Sequence, residues 1–370
     1  MSQAEVDWDD YYAQIEAAPN GKASMEICRK AWEMADKYHY YEGQVDYRLE
    51  YMQHSAFYDD VMEIYIVYPQ LLKLHDEHIK EYGYDENTRV ILWHYKWILS
   101  NTVEFYQISK EQFELFCEDF KKRCIENNYS LRSYYQSRFS LYKYFDREKA
   151  MENYQNFLEC KRDDLSDCHA CERSTEVEFL LYMGEKDKAD SRFLPLSMRQ
   201  LTCAEEPENS YGNYLRYYNQ EIAKGNQEYV GVAEKACDKV RQAIAHKGTA
   251  TEHMGDILMY YAIAKPEKAL TYYKKNWQFF EKNRNPLVKF WFAAACVRFF
   301  QQLEEKKTYK MSMPATFPFY NEKKVYDVEQ LKSYYEGFAK DIAAKLDKRN
   351  GSDYFKEQLE LMTHITKDRG

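Results

Sequence analysis

The chain has 370 residues, with 52 basic and 61 acidic side chains and a net charge of −9. An acidic chain whose basic residues are interspersed with acidic ones is a poor candidate for nucleic-acid binding, which depends on neutralising phosphates. The 12 glycines and 8 prolines are also too few for a β-sandwich or barrel with many tight turns.

No segment has the pattern of a secretory signal or a membrane span. The first ten residues are acidic and lack an apolar core. The longest apolar run, at 290–297, has eight residues, whereas a membrane span needs roughly twenty. We therefore expect a soluble protein of the cytoplasm, with no membrane partner and with its cysteines reduced.

Helical periodicity begins near the amino terminus and dominates the chain. Ile27, Ala31 and Ala35 recur at the spacing of one helix face and predict a helix over 23–37. Three more predicted helices cover about 41–56, the segment from 57 to a break at 82–85, and 89–99.

A short pattern then recurs about every forty residues, at 145–150, 183–189 and 264–270, with a fourth copy at 224–229. Each copy has a tight turn, an acidic first helical turn and an apolar stripe, which is how the second helix of a helix-turn-helix repeat begins. The sequence predicts an all-α fold, an α-α superhelix or solenoid. The predicted helix pairs cover about 109–145, 146–184, 185–224, 226–265 and 266–306.

The repeat of helix pairs at about forty residues ends after residue 306. Two prolines and no helical stripe between Lys307 and Tyr320 predict an extended segment, and no strand is predicted. Asn350-Gly351 suits a left-handed helix end between two final helices. The predicted organisation is a repeat domain over 1–306, an extended linker over 307–324 and a capping pair of helices over 325–370, all in one continuous unit.

Three cysteines form the most specific local motif. Cys168 and Cys171 have the C-x-x-C spacing, and Cys203 lies one helical hairpin further on, which returns it to the same edge of a repeat stack. Such thiolates could hold a structural zinc ion. Alternatively, they are small residues that let helices approach closely. Candidate fourth ligands are Cys160, His169, His246, His253 and Asp167.

Four predicted helices carry mixed aromatic and polar residues on one face. Such faces on successive repeats would line a concave groove for a partner; alternatively, their aromatics are core and their polar residues merely exposed. The sets are Arg89, Trp93 and Lys96; Tyr135, Arg138 and Tyr142; Asn213, Tyr217 and Gln220; and His253, Asp256 and Tyr260.

Catalytic motifs are missing from the sequence. It contains no H-E-x-x-H, G-x-S-x-G, phosphate-binding loop or dinucleotide fingerprint. His75 and His78 lie three residues apart, but without a second Glu-x-x-His motif they are interpreted as a solvated helix face. The sequence therefore favours a protein that is not an enzyme.

Several stretches resemble a family of uncharacterised bacterial tetratricopeptide-like proteins. The similarity spans about 85–355, and the two cysteine-containing stretches are its most specific part. It implies an α-helical repeat fold and a bacterial, cytoplasmic origin, and it implies no activity. The matching stretches are 92–97, 162–172, 201–207, 314–319 and 347–352.

These features predict a non-catalytic scaffold that binds a protein or peptide partner along a helical repeat stack. A regulatory sensor that responds to a ligand or peptide is the first alternative. A zinc-dependent enzyme that uses the cysteine cluster is the second.

Overall fold

The computed structural model describes residues 6–58, 60–303 and 305–364. The regular structure of these residues consists of α-helices, a few short 3₁₀ turns and one two-stranded sheet. The predicted all-α class is therefore confirmed. Across the same residues, no helix is both long enough and apolar enough to cross a membrane.

The chain divides into two compact units. Residues 166–370 all lie in the second unit, so the predicted boundaries at 306 and 324 fall inside one unit. The first unit contains Met1–Val103, Glu111–Ser137 and Phe157–Leu165, and the second contains Glu104–Lys110, Arg138–Asn156 and Ser166–Gly370.

Amphipathic helices build the first unit. In the second helix, Cys28, Ala31 and Ala35 are fully buried at helical spacing, and this helix packs against the third. The seventh and eighth helices have residues in both units. The bounds are α1 Trp8–Ala17, α2 Lys22–Tyr38, α3 Tyr41–Tyr58, α4 Ile64–Tyr82, α5 Thr88–Thr102, α6 Lys110–Glu126, α7 Arg132–Tyr142 and α8 Arg147–Glu159.

Nine further helices lie among the described residues of the second unit. They are α9 His169–Tyr182, α10 Lys186–Ser197, α11 Glu208–Ala223, α12 Val230–Lys247, α13 Met254–Ala264, α14 Pro266–Lys282, α15 Pro286–Gln301, α16 Val328–Asn350 and α17 Tyr354–Thr363.

Helical hairpins follow one another in the second unit. Helix α9 packs on α10, α11 on α12, and α13 on α14, while α9, α11, α13 and α15 pack successively on one another. Gly184, with φ of 79°, forms part of the tight turn between α9 and α10, as the repeated sequence pattern predicts. This arrangement confirms a helical repeat fold.

Helix α15 is the central helix of this unit. Its apolar stretch from Phe290 to Val297 is buried on every side, which explains the longest apolar run of the sequence. Helix α16 packs on α15, and α17 packs on both α15 and α11. Gly351 ends α16 in the left-handed conformation, as Asn350-Gly351 predicts.

The expectation of no strands is wrong for six residues. Thr308–Lys310 (β1) and Val325–Asp327 (β2) form an antiparallel pair in which Tyr309 lies opposite Tyr326. The pair closes the segment predicted as an extended linker. Strands of three residues are too short to show the alternating pattern by which strands are recognised in sequence.

The close approach of α13 and α15 leads to a prediction. A Cβ at Gly255 would lie 2.7 Å from the backbone nitrogen of Phe292 and 2.7 Å from the carbonyl carbon of Trp291. We expect Gly255→Ala to lower the free energy of unfolding by about 2 kcal/mol, because two helix backbones must separate. Urea unfolding measures this loss.

Gly337 provides the matched control. It lies inside α16, is exposed, and has no atom within 4 Å of an added Cβ. Gly337→Ala should therefore raise stability by about 0.5–1 kcal/mol through helix propensity alone. A Gly255→Ala protein as stable as the wild type would contradict the helix contact.

Candidate functional site

The structure divides the ten residues predicted to bind a partner into two groups. Those in the first group are exposed or half-buried, and those in the second are buried. The first group is Arg89, Trp93, Tyr135, Arg138, Asn213 and Tyr217, and the second is Lys96, Tyr142, His253 and Tyr260.

The prediction of direct contact with a partner is wrong for the four buried residues, because their side chains lie in the protein interior. Lys96 is 8% exposed, and its ammonium donates to the Leu165 carbonyl oxygen at 2.7 Å. Tyr142 accepts a hydrogen bond from Arg138 at 3.0 Å. His253 is paired with a buried carboxylate, and only 1% of Tyr260 is exposed.

A cavity in the second unit brings one predicted set together. Asn213, Tyr217 and Gln220 follow one another on α11, and all three line this cavity of about 50 Å³. That volume has room for a few water molecules or one small chemical group. The remaining lining residues are Tyr144, Glu178, Leu181, Tyr182, Arg216, Trp291 and Tyr354.

Two ion pairs set the charge around this cavity. Lys143 lies 2.5 Å from Glu178, and Arg216 contacts Asp256 through two nitrogens at 2.9 and 3.2 Å. His253 also contacts Asp256, at 2.8 Å. These contacts balance two cations against two carboxylates; Lys143 and Asp256 are buried, while Arg216 and Glu178 are half-buried.

The pKa values of the two carboxyl groups are set by two opposing effects, which are burial and the neighbouring cations. Burial would raise the pKa of Glu178, but the Lys143 ammonium outweighs it and the pKa is lowered. Burial likewise acts against the charged form of Asp256, yet Arg216 and His253 lower its pKa. Both carboxyl groups are therefore ionised at neutral pH.

Several polar groups of the lining have no hydrogen-bond partner among the described residues. The indole nitrogen of Trp291 is one, although this residue is only 5% exposed and carries the Arg216 guanidinium 4.6 Å above its ring. The amide of Asn213 and the hydroxyls of Tyr182 and Tyr354 make no hydrogen bond to a described residue either. Buried polar groups normally have partners, so the Trp291 indole is the exception in this lining, whereas the half-buried Asn213, Tyr182 and Tyr354 can hydrogen-bond to water.

Three tyrosines form an aromatic wall. The rings of Tyr144, Tyr182 and Tyr354 lie with centroids 5.1–5.5 Å apart. Burial raises the pKa of each, so each keeps its hydroxyl proton at neutral pH. The wall therefore offers neutral hydroxyl groups beside apolar ring faces.

The predicted set on α11 missed Arg216, and nothing predicted Glu178, Tyr182, Trp291 or Tyr354. Arg216 shares the helical spacing of its predicted neighbours, so the same periodicity identifies it. The other four come from α9, α15 and α17, and no local pattern connects them.

The predicted cysteine cluster is present in the second unit. The sulfur atoms of Cys168, Cys171 and Cys203 all lie within 4.8 Å of one another, and those of Cys171 and Cys203 are 3.5 Å apart. Cys168 caps α9 by accepting a hydrogen bond from the backbone nitrogen of Cys171. This cluster could hold a metal ion.

No fourth ligand joins the cluster among the described residues. His169 and His246 are exposed, Asp167 is half-buried, and His253 is paired with Asp256. Cys160, the remaining candidate, lies in the first unit.

The nine cysteines, all within the described residues, form no disulfide. Five of them are buried individually, and burial raises the pKa of Cys28, Cys124 and Cys237 to about 12. Such thiols stay protonated and inert. The group of three is therefore the only part of the cysteine content, within the described chain, that has the geometry for metal chemistry.

The remaining histidine motif is partly buried. His75 is buried and lies 2.9 Å from the Thr88 hydroxyl, so its interpretation as part of a solvated face is wrong. His78 stacks on Tyr41 with ring centroids 3.8 Å apart. Both residues therefore contribute to packing.

No family model matches the sequence, and no match is found among curated proteins or among solved structures. The resemblance to tetratricopeptide-like proteins stays a prediction. Function therefore has to be inferred from the residues and their geometry.

Proposed function

We propose that this chain is a non-catalytic module that binds a peptide or protein partner, one small group of which enters the cavity in its second unit. The supporting observation is that the unpaired Trp291 indole, the Asn213 amide and several tyrosine rings line one small space. Binding sites combine apolar walls with a few placed polar groups in this way.

The chemistry of the wall suits a polypeptide. The Asn213 amide offers both a donor and an acceptor, which match the carbonyl and N–H of a peptide group. Tyrosine rings supply large contact area at low entropy cost. The net charge of −9 disfavours nucleic acid as the partner.

Asn213 gives the sharpest test, because its side chain makes no hydrogen bond to a described residue. Tagged protein should retain a stoichiometric partner from a lysate of its source cells. We expect Asn213→Ala or Tyr217→Ala to weaken this retention about tenfold, a loss typical of an interface residue. Mass spectrometry of the retained proteins measures the effect.

Asn20→Ala is the matched control, since Asn20 is exposed and lies in the first unit. It should retain the partner as the wild type does. The Asn213→Ala and Asn20→Ala proteins should both melt at the wild-type temperature. Undiminished retention by both cavity variants would contradict the proposed site.

A structural zinc ion at Cys168, Cys171 and Cys203 is the second part of this proposal. Tetrahedral zinc with bonds of about 2.3 Å places its sulfur ligands about 3.8 Å apart, close to the spacing of this cluster. The ion would connect the start of α9 to the segment before α11. A reducing cytoplasm would keep the three thiols available for it.

Metal analysis tests this part directly. Full-length protein purified without chelator should contain about one zinc per chain, and Cys203→Ser should lower that content sharply because two thiolates hold zinc weakly. Cys160→Ser is the control and should keep the zinc. Far less than one zinc in the wild type would exclude the metal.

A further inference from the structure

The indole N–H of Trp291 is a buried donor without an acceptor. Trp291 is 5% exposed and lines the cavity of the second unit, and its Nε1 has no hydrogen-bond partner among the described residues. An indole nitrogen can only donate, and a buried donor left unpaired is unfavourable. Water can accept this hydrogen bond in the free protein. A bound group that displaces the water must therefore bring an acceptor of its own.

Arg216 supplies a second donor to the same lining. Its Nε and Nη2 donate to Asp256 at 3.2 and 2.9 Å, whereas its Nη1 makes no hydrogen bond to a residue that the structure describes. The guanidinium lies 4.6 Å from the centroid of the Trp291 ring. The two available donors therefore belong to neighbouring groups of one small cavity.

Glu178 supplies an acceptor on this lining. Its Oε1 accepts from the Lys143 ammonium at 2.5 Å, and its Oε2 accepts no hydrogen bond from within the described chain. Burial opposes the charged form, but the Lys143 ammonium lowers the pKa of this carboxyl group. The group is ionised at neutral pH and can only accept, so its free oxygen requires a donor.

Charge disfavours an ion as the occupant of the cavity. Arg216 and Glu178 are the charged side chains of the lining, and each has its own counter-ion. Asp256 neutralises the first and Lys143 the second. An incoming carboxylate would have to share Arg216 with Asp256 and would lie near the Glu178 carboxylate, while an incoming ammonium would lie near Arg216. A neutral group meets neither repulsion.

The volume restricts the occupant to the end of a side chain. The cavity measures about 50 Å³, and the aromatic wall bounds it on one side. A primary carboxamide combines, in one flat neutral group, a carbonyl oxygen that accepts and an NH₂ that donates. The oxygen matches the donors of Trp291 and Arg216, and the NH₂ matches the free oxygen of Glu178. A hydroxyl or a methyl group would leave at least one of these groups unpaired.

We propose that the cavity receives the side-chain carboxamide of a glutamine or asparagine of the partner, with its oxygen on the Trp291 indole and its NH₂ on the Glu178 carboxylate. The inference rests on the proposed function and names the chemical group that enters the cavity. A carboxylate of the same shape is rejected, because it has no hydrogen to donate and adds a negative charge beside Glu178.

The indole N–H signal of Trp291 reports the occupation of the cavity. Full-length protein labelled with nitrogen-15 at its six tryptophans gives this signal, which is assigned by its loss in Trp291→Phe. The probes are the N-acetyl methylamides of glutamine, glutamate and alanine, which differ only in their side chains. The glutamine probe should move the signal downfield in a saturable way. Its dissociation constant should be lower than that of the glutamate probe by about tenfold or more, and the alanine probe should leave the signal in place.

Glu178→Gln tests the role of the carboxylate. It removes the repelling charge but keeps an oxygen that can accept from Lys143, and a thermal melt shows whether the variant is folded. The preference for the glutamine probe over the glutamate probe should narrow in this variant. An unchanged preference in folded Glu178→Gln would overturn the assignment of Glu178.

The outcomes separate this inference from the proposed function. A glutamate probe that binds as tightly as the glutamine probe, or more tightly, would overturn the choice of a carboxamide and leave the cavity as a binding site. Equal shifts with the alanine probe, or no shift with any probe, would also overturn it. The proposed function itself fails only if Asn213→Ala and Tyr217→Ala retain the partner undiminished, which is a separate measurement.

Discussion

Replacing Arg216 by methionine should lower the free energy of unfolding by about 3–5 kcal/mol, because it leaves the Asp256 carboxylate buried without its main cation. Asp256 is almost fully buried, and the Arg216 side chain is 20% exposed. Methionine keeps much of the apolar stem above Trp291. The loss of stability is therefore due to the missing charge and not to lost packing. Urea unfolding followed by tryptophan fluorescence measures it.

Two further variants make this result interpretable. Arg241 and Asp238 form a pair with both side chains about half exposed, so Arg241→Met should cost less than about 1 kcal/mol. Adding Asp256→Asn to Arg216→Met should recover part of the loss, since the orphaned charge disappears. Equal, small losses for Arg216→Met and Arg241→Met would contradict a buried ion pair.

Stability should also fall as pH rises from about 4.5 to 7, because of Glu104. Burial, reinforced by Glu252 and Glu178, raises the pKa of this carboxyl to about 7 from an ordinary 4.5, although a hydrogen bond from Asn285 opposes the shift. Between those pH values the folded protein holds a proton that the unfolded chain has released. The contribution of Glu104 to stability therefore declines through this window and is constant above it.

Glu104→Gln isolates this contribution. A pKa that moves from 4.5 to about 7 corresponds to about 3 kcal/mol. The variant should therefore gain about 3 kcal/mol relative to the wild type between pH 4.5 and pH 8, as measured by urea unfolding across that range. The exposed Glu16→Gln is the control and should follow the wild-type curve. A Glu104→Gln curve parallel to the wild type would show that Glu104 is not desolvated.

The helices and their order could be predicted because each has a local signal. An apolar stripe at helical spacing, with a turn before an acidic first turn, marks the starts of α8, α10 and α14 without reference to the rest of the chain. The juxtaposition of Cys171 and Cys203 follows for the same reason, since one predicted hairpin returns the chain to its starting edge.

The residues that line the cavity could be predicted only in part. A polar residue on a helix face is exposed only if no partner meets it, and Lys96 meets a carbonyl 69 positions away in the chain. Spacing along α11 predicts that Asn213 and Tyr217 share a helix face, and both line the cavity. Trp291 and Tyr354 reach the same cavity from helices far along the chain, which a single sequence does not reveal.

Calorimetry tests the cavity most directly, by comparing the affinity of the captured partner for purified wild-type protein, for Asn213→Ala and for Asn20→Ala. If the cavity in the second unit is the binding site, the Asn213 variant should bind about tenfold more weakly, or about 1.4 kcal/mol, with unchanged melting. The Asn20 variant should match the wild type. Equal dissociation constants for all three proteins would place the partner elsewhere and contradict the proposed function of the cavity.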